Sequence, residues 1–128
     1  MTDQEQESRT PDLRVEHRMI GEVAVVAIQG EVDSSTAGQL ATAVQSGLDR
    51  TRAAYCILDL TDVEFLGGAG LKTLAATNLV AEIRHEPLRI VVDANRPVIR
   101  PLEISGLEHV LELYHTVEEA LAGQGGSL

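Results

Sequence analysis

The first part of the chain alternates between apolar and polar positions in two short stretches. "LRVEHRMI" (13–20) alternates up to a break at His17, and "EVAVVAIQG" (22–30) is rich in β-branched residues. A Gly-Glu pair joins the two stretches, which is a signal for a tight hairpin. The pattern therefore predicts two antiparallel strands at the start of the fold.

Helical spacing follows the hairpin. Apolar residues recur at helical intervals after Asp33, Ser34 and Ser35, which are residue types that commonly begin helices, and this predicts a helix from about Ser35 to Asp49. Gly38 and Gly47 are expected to weaken this helix.

The run "AAYCILDL" (53–60) is almost continuously apolar, as in a strand covered on both faces. "TDVEF" (61–65) is then predicted to be a turn with a short extended piece.

Helices and strands continue to alternate in the second half. A helical pattern begins at Gly68, and its Lys72, Asn78 and Glu82 are expected to face solvent. Pro87 ends this helical region, since proline is excluded from a helix interior. The remaining elements are predicted as a strand over 88–93, a helix over 97–104 closed by Gly106, a strand over 110–114, and a helix that begins with a Thr116–Glu119 capping box and ends at Gly123.

The predicted order is β-β-α-β-α-β-α-β-α. Strands that alternate with helices indicate an α/β fold, here a mixed, mostly parallel sheet of about five strands with an N-terminal antiparallel hairpin and about four helices. The length of 128 residues suits one domain. We expect residues 1–10 to be a disordered lead-in, 11–122 to be a single domain and 123–128 to be a flexible tail.

Charge and composition exclude several classes of partner. The chain has 20 acidic and 10 basic residues, and its net charge of −10 repels phosphate backbones and anionic membrane surfaces. With only three aromatic residues it lacks platforms for base stacking. No apolar run is long enough to span a membrane and no secretory signal opens the sequence. We therefore expect a cytoplasmic protein that binds neither nucleic acid nor membranes.

Cys56 is the single cysteine, so the chain cannot form an internal disulfide, which fits a reducing compartment. Because Cys56 lies within an apolar run, its main interpretation is a small buried hydrophobic residue. A redox-sensing thiol that pairs between chains is the alternative.

Catalytic patterns are missing from the sequence. The glycines of "FLGGAGL" (65–71) fit neither the Walker spacing nor the dinucleotide-binding spacing. Asp59, Asp62 and Glu64 cluster at a predicted strand end without a histidine or cysteine partner. The four histidines are scattered and share no spacing typical of metal ligands. The sequence thus indicates no enzyme, no metal and no cofactor.

Two segments resemble the STAS-domain family of bacterial anti-sigma factor antagonists. "AYCILDLTDVEFLGGAGLKTL" (54–74) resembles the family's signature strand, which leads through Asp-Ser-Ser-Gly-Leu into a helix. "GEVDSSTAGQL" (30–40) resembles its Gly-Glu-x-Asp-x-x-Thr-Ala-x-x-Leu segment. Together with the element order, the resemblance covers about residues 11 to 122.

The resemblance implies a binding module. Members of the family bind an anti-sigma factor, usually a small serine kinase, and so free a sigma factor for transcription, for example in a stress response. The implied partner-binding residues are Asp33, Ser34, Ser35, Thr36, Gly67, Gly68, Ala69, Gly70, Leu71 and Lys72. Phe65 and Leu66 are expected to anchor the loop in the core.

The sequence departs from the family pattern at the regulatory position. Gly68 stands where the family has its phosphoacceptor serine, so phosphorylation at that site is impossible here. Ser34, Ser35 and Thr36 are candidates for a relocated site, although helix capping is their main interpretation. The alternative function that stays open is a STAS-like small-ligand or nucleotide-binding sensor module within a larger regulatory assembly. The sequence also leaves open whether the chain forms a homodimer.

Overall fold

The computed structural model describes residues 12–123, so the predicted lead-in over 1–10 and nearly all of the predicted tail lie outside the described residues. The order of the elements is the predicted one. The elements are β1 (Arg14–Ile20), β2 (Val23–Val32), α1 (Ala37–Arg50), β3 (Ile57–Leu66), α2 (Gly68–Arg84), β4 (Arg89–Val91), α3 (Arg96–Ser105), a single 3₁₀ turn (Leu107–His109), β5 (Glu112–Tyr114) and α4 (Val117–Ala122).

The five strands form one mixed sheet in the order β1-β2-β3-β4-β5. β1 runs antiparallel to β2, and the other neighbouring pairs are parallel. Gly21 has a φ of +59° in the turn of the hairpin, a conformation that glycine adopts at little cost. The predicted α/β fold with an N-terminal hairpin is therefore confirmed.

Helices cover the two faces of the sheet unequally. Leu40 of α1, Leu74 of α2 and Leu102 of α3 share one core with alternate residues of the central strands, while Ala120 of α4 packs with Val25 and the other strand residues of a smaller core. Because the central strands are covered on both faces, their sequences are nearly continuous apolar runs.

β3 is longer than the sequence predicts, and the expected turn at 61–65 is wrong. The strand continues to Leu66, and it carries two irregularities in its pairing with β2. Five steps along β2, from Ala27 to Val32, are matched by seven steps along β3, from Asp59 to Leu66. Extra residues of this kind are β-bulges, which redirect side chains and commonly occur near functional sites.

The Asn95 side chain provides hydrogen-bond donors for backbone carbonyls of the bulged segment. Its Nδ2 donates to the carbonyl oxygen of Leu60 at 2.9 Å and to that of Val63 at 2.8 Å. Buried carbonyls without a partner are costly, so this amide stabilises the irregular end of β3. Asn95 thereby fixes the direction in which β3 leads into α2.

Asn78 does not face solvent as expected. Its side chain is only 3% exposed, and its Oδ1 accepts a hydrogen bond from the backbone N–H of Leu88 at 3.0 Å. This bond joins α2 to the segment that enters β4. Asn78 thus connects two elements from a mostly apolar helix face, and its partner Leu88 lies ten residues further along the chain.

Gly47 lies where α1 packs closely against the sheet. The sequence predicts only that this glycine weakens the helix. A Cβ atom at this position would lie 2.4 Å from Cγ2 of Val26 and 2.9 Å from Sγ of Cys56. Gly38 in the same helix has no neighbour within 4 Å of such an atom. The two glycines of α1 therefore have different physical roles.

Candidate functional site

The two predicted partner-binding segments lie side by side at one edge of the sheet. β2 and β3 are parallel, so the segments that follow them, 33–36 and 67–72, emerge at the same carboxyl edge. The backbone N–H of Gly67 donates to the carbonyl oxygen of Val32 at 3.0 Å and joins the two. We refer to residues 33–36 and 67–72 together as the carboxyl-edge face.

Asp33 organises the first segment. Its Oδ1 accepts hydrogen bonds from the backbone N–H of Ser35 at 2.9 Å, from the Ser35 hydroxyl at 2.7 Å and from the backbone N–H of Thr36 at 3.2 Å. The bond from the Ser35 hydroxyl is the largest contribution that lowers the pKa of Asp33. Asp33 thus contributes a fixed negative charge to the carboxyl-edge face.

The helix-capping interpretation of Ser34, Ser35 and Thr36 is wrong in its details. Thr36 is the N-cap residue of α1, yet its side chain makes no capping bond to the helix. Its hydroxyl donates to the carbonyl oxygen of Glu31 at 2.6 Å, and the side chain is only 1% exposed. Ser34 and Ser35 are exposed, so they are the accessible hydroxyls of this segment.

The glycines of the second segment are not equivalent. A Cβ atom on Gly70 would lie 2.6 Å from Cδ1 of Leu66 and 2.7 Å from Cγ1 of Val32, so packing requires glycine there. On Gly67 it would lie 2.9 Å from Cε2 of Phe65, which is the end of a side chain that can move. On Gly68 it would have no neighbour within 4 Å.

Gly68 is therefore a glycine that the fold does not need. It is the first residue of α2, it is exposed, and it is not among the described glycines with positive φ. A Cβ atom at this position would point into open space. Position 68 is thus available to any partner that approaches this edge.

Phe65 is not a core anchor, which corrects the prediction from sequence. Its side chain is 49% exposed beside Gly67, whereas the neighbouring Leu66 is buried as expected. Simple alternation from the buried Val63 would point Phe65 inward, but the bulge in β3 leaves Glu64 and Phe65 both exposed. No local sequence signal reveals this change, because the bulge is defined by pairing with β2.

Leu71 and Lys72 complete the second segment. Leu71 is half-buried against the main core, and Lys72 is exposed in the first turns of α2. Lys72 takes part in none of the ion pairs found among residues 12–123. The carboxyl-edge face therefore presents small residues, hydroxyls and charges of both signs, and the exposed ring of Phe65 lies beside it.

Cys56 is buried beneath α1. Its side chain is 1% exposed, and burial raises the pKa of its thiol to about 12. A thiol with so high a pKa is almost entirely protonated near neutral pH and reacts slowly, since the thiolate is the nucleophile. The burial of Cys56 favours the interpretation as a buried hydrophobic residue over the redox alternative.

Residues 12–123 offer little for metal or acid–base chemistry. No group of three or more histidine, cysteine, aspartate or glutamate side chains in this range could hold a metal ion. Oδ1 of Asp59 is engaged by the backbone N–H and hydroxyl of Thr61 at 2.9 and 2.7 Å. Within the same range, no helix is long and apolar enough to cross a membrane.

Three surface cavities found among the described residues lie away from the glycines of the second segment. These cavities, of about 490, 430 and 520 Å³, lie along β1 or beside its turn. Their lining includes Val15, Glu16 and Met19, and none of the residues from Gly67 to Lys72. The carboxyl-edge face is an exposed edge of the sheet, and together with the fold it defines the class as an α/β domain with a mixed five-stranded sheet.

Comparison with known proteins identifies the family. The STAS domain model matches residues 14–120, and the chain belongs to the STAS domain family. The anti-sigma-F factor antagonist RsfB of Mycobacterium tuberculosis strain H37Rv is 38% identical over 105 residues, which cover 81% of this chain and 83% of RsfB.

Solved structures show the same fold. An anti-sigma factor antagonist from Mycobacterium paratuberculosis is 31% identical, with a TM-score of 0.76 over 87% of this chain and 92% of that chain. The antagonist SpoIIAA in its unphosphorylated form is 16% identical, with a TM-score of 0.67 over 86% of this chain and 95% of that chain. The latter likeness concerns the fold alone.

Proposed function

We propose that this protein is an anti-sigma factor antagonist, which binds an anti-sigma factor and thereby releases a sigma factor for transcription. The observation that carries the proposal is the pairing of segments 33–36 and 67–72 on one exposed edge. It is supported by a fold and sequence that match relatives named as such antagonists. The proposal places the protein in the cytoplasm, where sigma factors act, and requires no catalysis, metal or cofactor.

The carboxyl-edge face has the features of a protein contact. The exposed ring of Phe65, a neighbour of this face, offers a large apolar area beside Gly67, and aromatic residues are enriched among interface positions that dominate binding energy. Asp33 and Lys72 can provide charge complementarity at its margins. The net charge of −10 favours encounter with a partner that carries a basic patch.

We infer that Gly68 occupies the position of the family's phosphoacceptor serine, so that the usual phosphorylation switch is lost in this chain. Gly68 has no hydroxyl, but it begins α2 and a side chain there would meet open space. A phosphoserine would add roughly −1.5 to −2 charges at neutral pH and oppose docking at this face. We propose that the antagonist binds without control by phosphorylation of this loop.

Restoring the hydroxyl tests the assignment of Gly68. When the anti-sigma partner is a serine kinase, Gly68→Ser is expected to accept one phosphoryl group from ATP, and the wild-type chain is expected to accept none. The physical reason is that position 68 is exposed and free of neighbours, so the new hydroxyl is accessible. Intact-protein mass spectrometry after incubation with the kinase and ATP measures the transfer.

Ala69→Ser is the matched control, because it places a hydroxyl one residue later on the same turn. We expect it to remain unmodified. Phosphorylation of the wild-type chain would show that the switch has moved to another residue, with Ser34 and Ser35 as the accessible candidates on the carboxyl-edge face. A kinase that binds the wild-type chain and leaves Gly68→Ser unmodified would contradict the equivalence of position 68 with the phosphoacceptor.

A further inference from the structure

β1 is an edge strand with one side unpaired among the described residues. It lies at the end of the sheet and pairs through all seven of its residues with β2 alone. A free strand edge presents a row of backbone N–H and C=O groups, which is a template for pairing with another strand. Natural proteins commonly protect such an edge with charges, so the pattern of charge along β1 is informative.

The helix-side face of β1 is apolar and incompletely covered. Val15 and Met19 are 39% and 45% exposed, although their neighbours on β2, Ile28 and Ala24, are buried in the main core. A groove of about 490 Å³ separates this side of β1 from α1, and Val15 and His17 line it. Another strand added at this edge would remove further apolar surface from water.

The opposite face of β1 carries charges of both signs. Arg14, Glu16 and Arg18 alternate along it, and their neighbours on β2 are Gln29, Ala27 and Val25, which carry no charge. None of the three takes part in an ion pair found within residues 12–123. These charges are therefore not engaged across the hairpin.

We infer that β1 pairs with β1 of a second copy of this chain, antiparallel and centred on His17, to form a homodimer with a continuous ten-stranded sheet. In this register Glu16 lies opposite Arg18 of the other copy, and the two-fold axis generates the same pair twice. Val15 likewise lies opposite Met19 on the helix side. Cross-strand pairs of opposite charge and of apolar residues both stabilise antiparallel sheets.

Charge selects this register over its neighbours. A two-fold axis perpendicular to the sheet keeps the helices of both copies on the same side of the sheet. The axis then passes through one residue of β1, and the neighbouring registers are those in which it passes through the preceding or the following residue. Centring on Glu16 would place the two Glu16 side chains opposite each other and Arg14 opposite Arg18. Centring on Arg18 would place two arginines in contact. Like charges directly opposite are destabilising, and the centre at His17 alone avoids them among these three.

His17 at the centre is compatible with close approach of its copy. Burial, together with the positive charge of Arg50, lowers the pKa of His17, which favours the neutral imidazole. Two neutral rings facing each other across the axis do not repel by charge. Stable protein interfaces bury roughly 1,200 Å² or more of surface. Pairing of two seven-residue strands buries a smaller area, so the dimer is expected to be weak and concentration-dependent.

Sedimentation equilibrium of the full chain over a range from micromolar to near-millimolar concentration tests the dimer. Wild type is expected to shift from monomer to dimer. Arg18→Glu should weaken dimerisation by about 10-fold or more, because it creates two Glu–Glu contacts at the axis. The double variant Glu16→Arg with Arg18→Glu should restore dimerisation towards wild type, since the pair is reversed and the register is unchanged.

A cysteine at the axis tests the register itself. Directly opposite residues in an antiparallel pair have Cα atoms about 4.5–5.5 Å apart, within the range for a disulfide. His17→Cys is expected to form an intermolecular disulfide under mild oxidation, and Met19→Cys should not, because its own copy is displaced along the strand. The buried Cys56 provides an internal control thiol.

Several results would overturn the inference. They are a wild-type chain that stays monomeric at the highest concentration, an Arg18→Glu chain that dimerises as wild type does, and a charge reversal that fails to rescue although circular dichroism shows a native fold. Dimerisation is measured without the anti-sigma factor, so these outcomes are independent of the proposed function.

Discussion

Gly68→Glu is expected to lower affinity for the anti-sigma factor at least about 30-fold, which corresponds to about 2 kcal/mol of binding free energy. The side chain would project from the first turn of α2 into the space that the partner is proposed to occupy. Burying an unpaired carboxylate in an interface is costly, and the new charge also imitates part of the charge of a phosphoserine. Isothermal titration of the purified anti-sigma factor with wild type and variant measures the change.

Gly68→Ala is the control for this experiment. It removes the glycine without adding charge, and because no atom lies within 4 Å of the new Cβ, folding should be unaffected. Its affinity is expected to remain within a few-fold of wild type, since a methyl group disturbs a contact less than a buried charge does. Equal affinities for Gly68→Glu and wild type would remove position 68 from the interface.

Gly47→Ala is expected to destabilise the fold by about 2–3 kcal/mol, because the added methyl group would overlap Val26 and the thiol of Cys56. Both neighbours are fully or almost fully buried, so α1 must move away from the sheet to make room. That movement would reduce the burial of the apolar face that α1 contributes to the main core. Urea denaturation followed by circular dichroism measures the free energy of unfolding.

The same substitution in the same helix should have the opposite sign at Gly38. An alanine there meets no atom within 4 Å and restricts the unfolded chain, so Gly38→Ala is expected to stabilise by up to about 1 kcal/mol. The two variants separate helix propensity from packing. Equal effects at the two positions would refute the close contact between Gly47 and the sheet.

The sequence predicts the order of the elements because each has a clear period. Apolar runs mark the central strands, and residues such as Leu40, Leu74 and Leu102 mark the inner faces of the helices. The candidate site residues are implied by the resemblance to the STAS family, and periodicity alone does not indicate them. Topology accounts for their proximity, since the segments after two parallel strands emerge at one edge of the sheet.

The errors share one physical cause, which is that each depends on contacts between distant parts of the chain. Phe65 is exposed because β3 is bulged relative to β2, and Asn78 is buried because its amide bonds the backbone of Leu88. The role of Gly47 depends on how closely α1 approaches Val26. None of these relations leaves a periodic signal in the residues concerned.

Release of a sigma factor from its complex with the anti-sigma factor tests the central claim most directly. The preformed complex is mixed with the wild-type chain in the presence and absence of ATP, and free sigma factor is quantified by the change in fluorescence anisotropy of a labelled sigma factor. We expect release that rises with the concentration of the chain and is not reversed by phosphorylation of the loop when ATP is present. Retention of sigma factor by every anti-sigma factor of the same genome, at saturating concentrations of the chain, would contradict it.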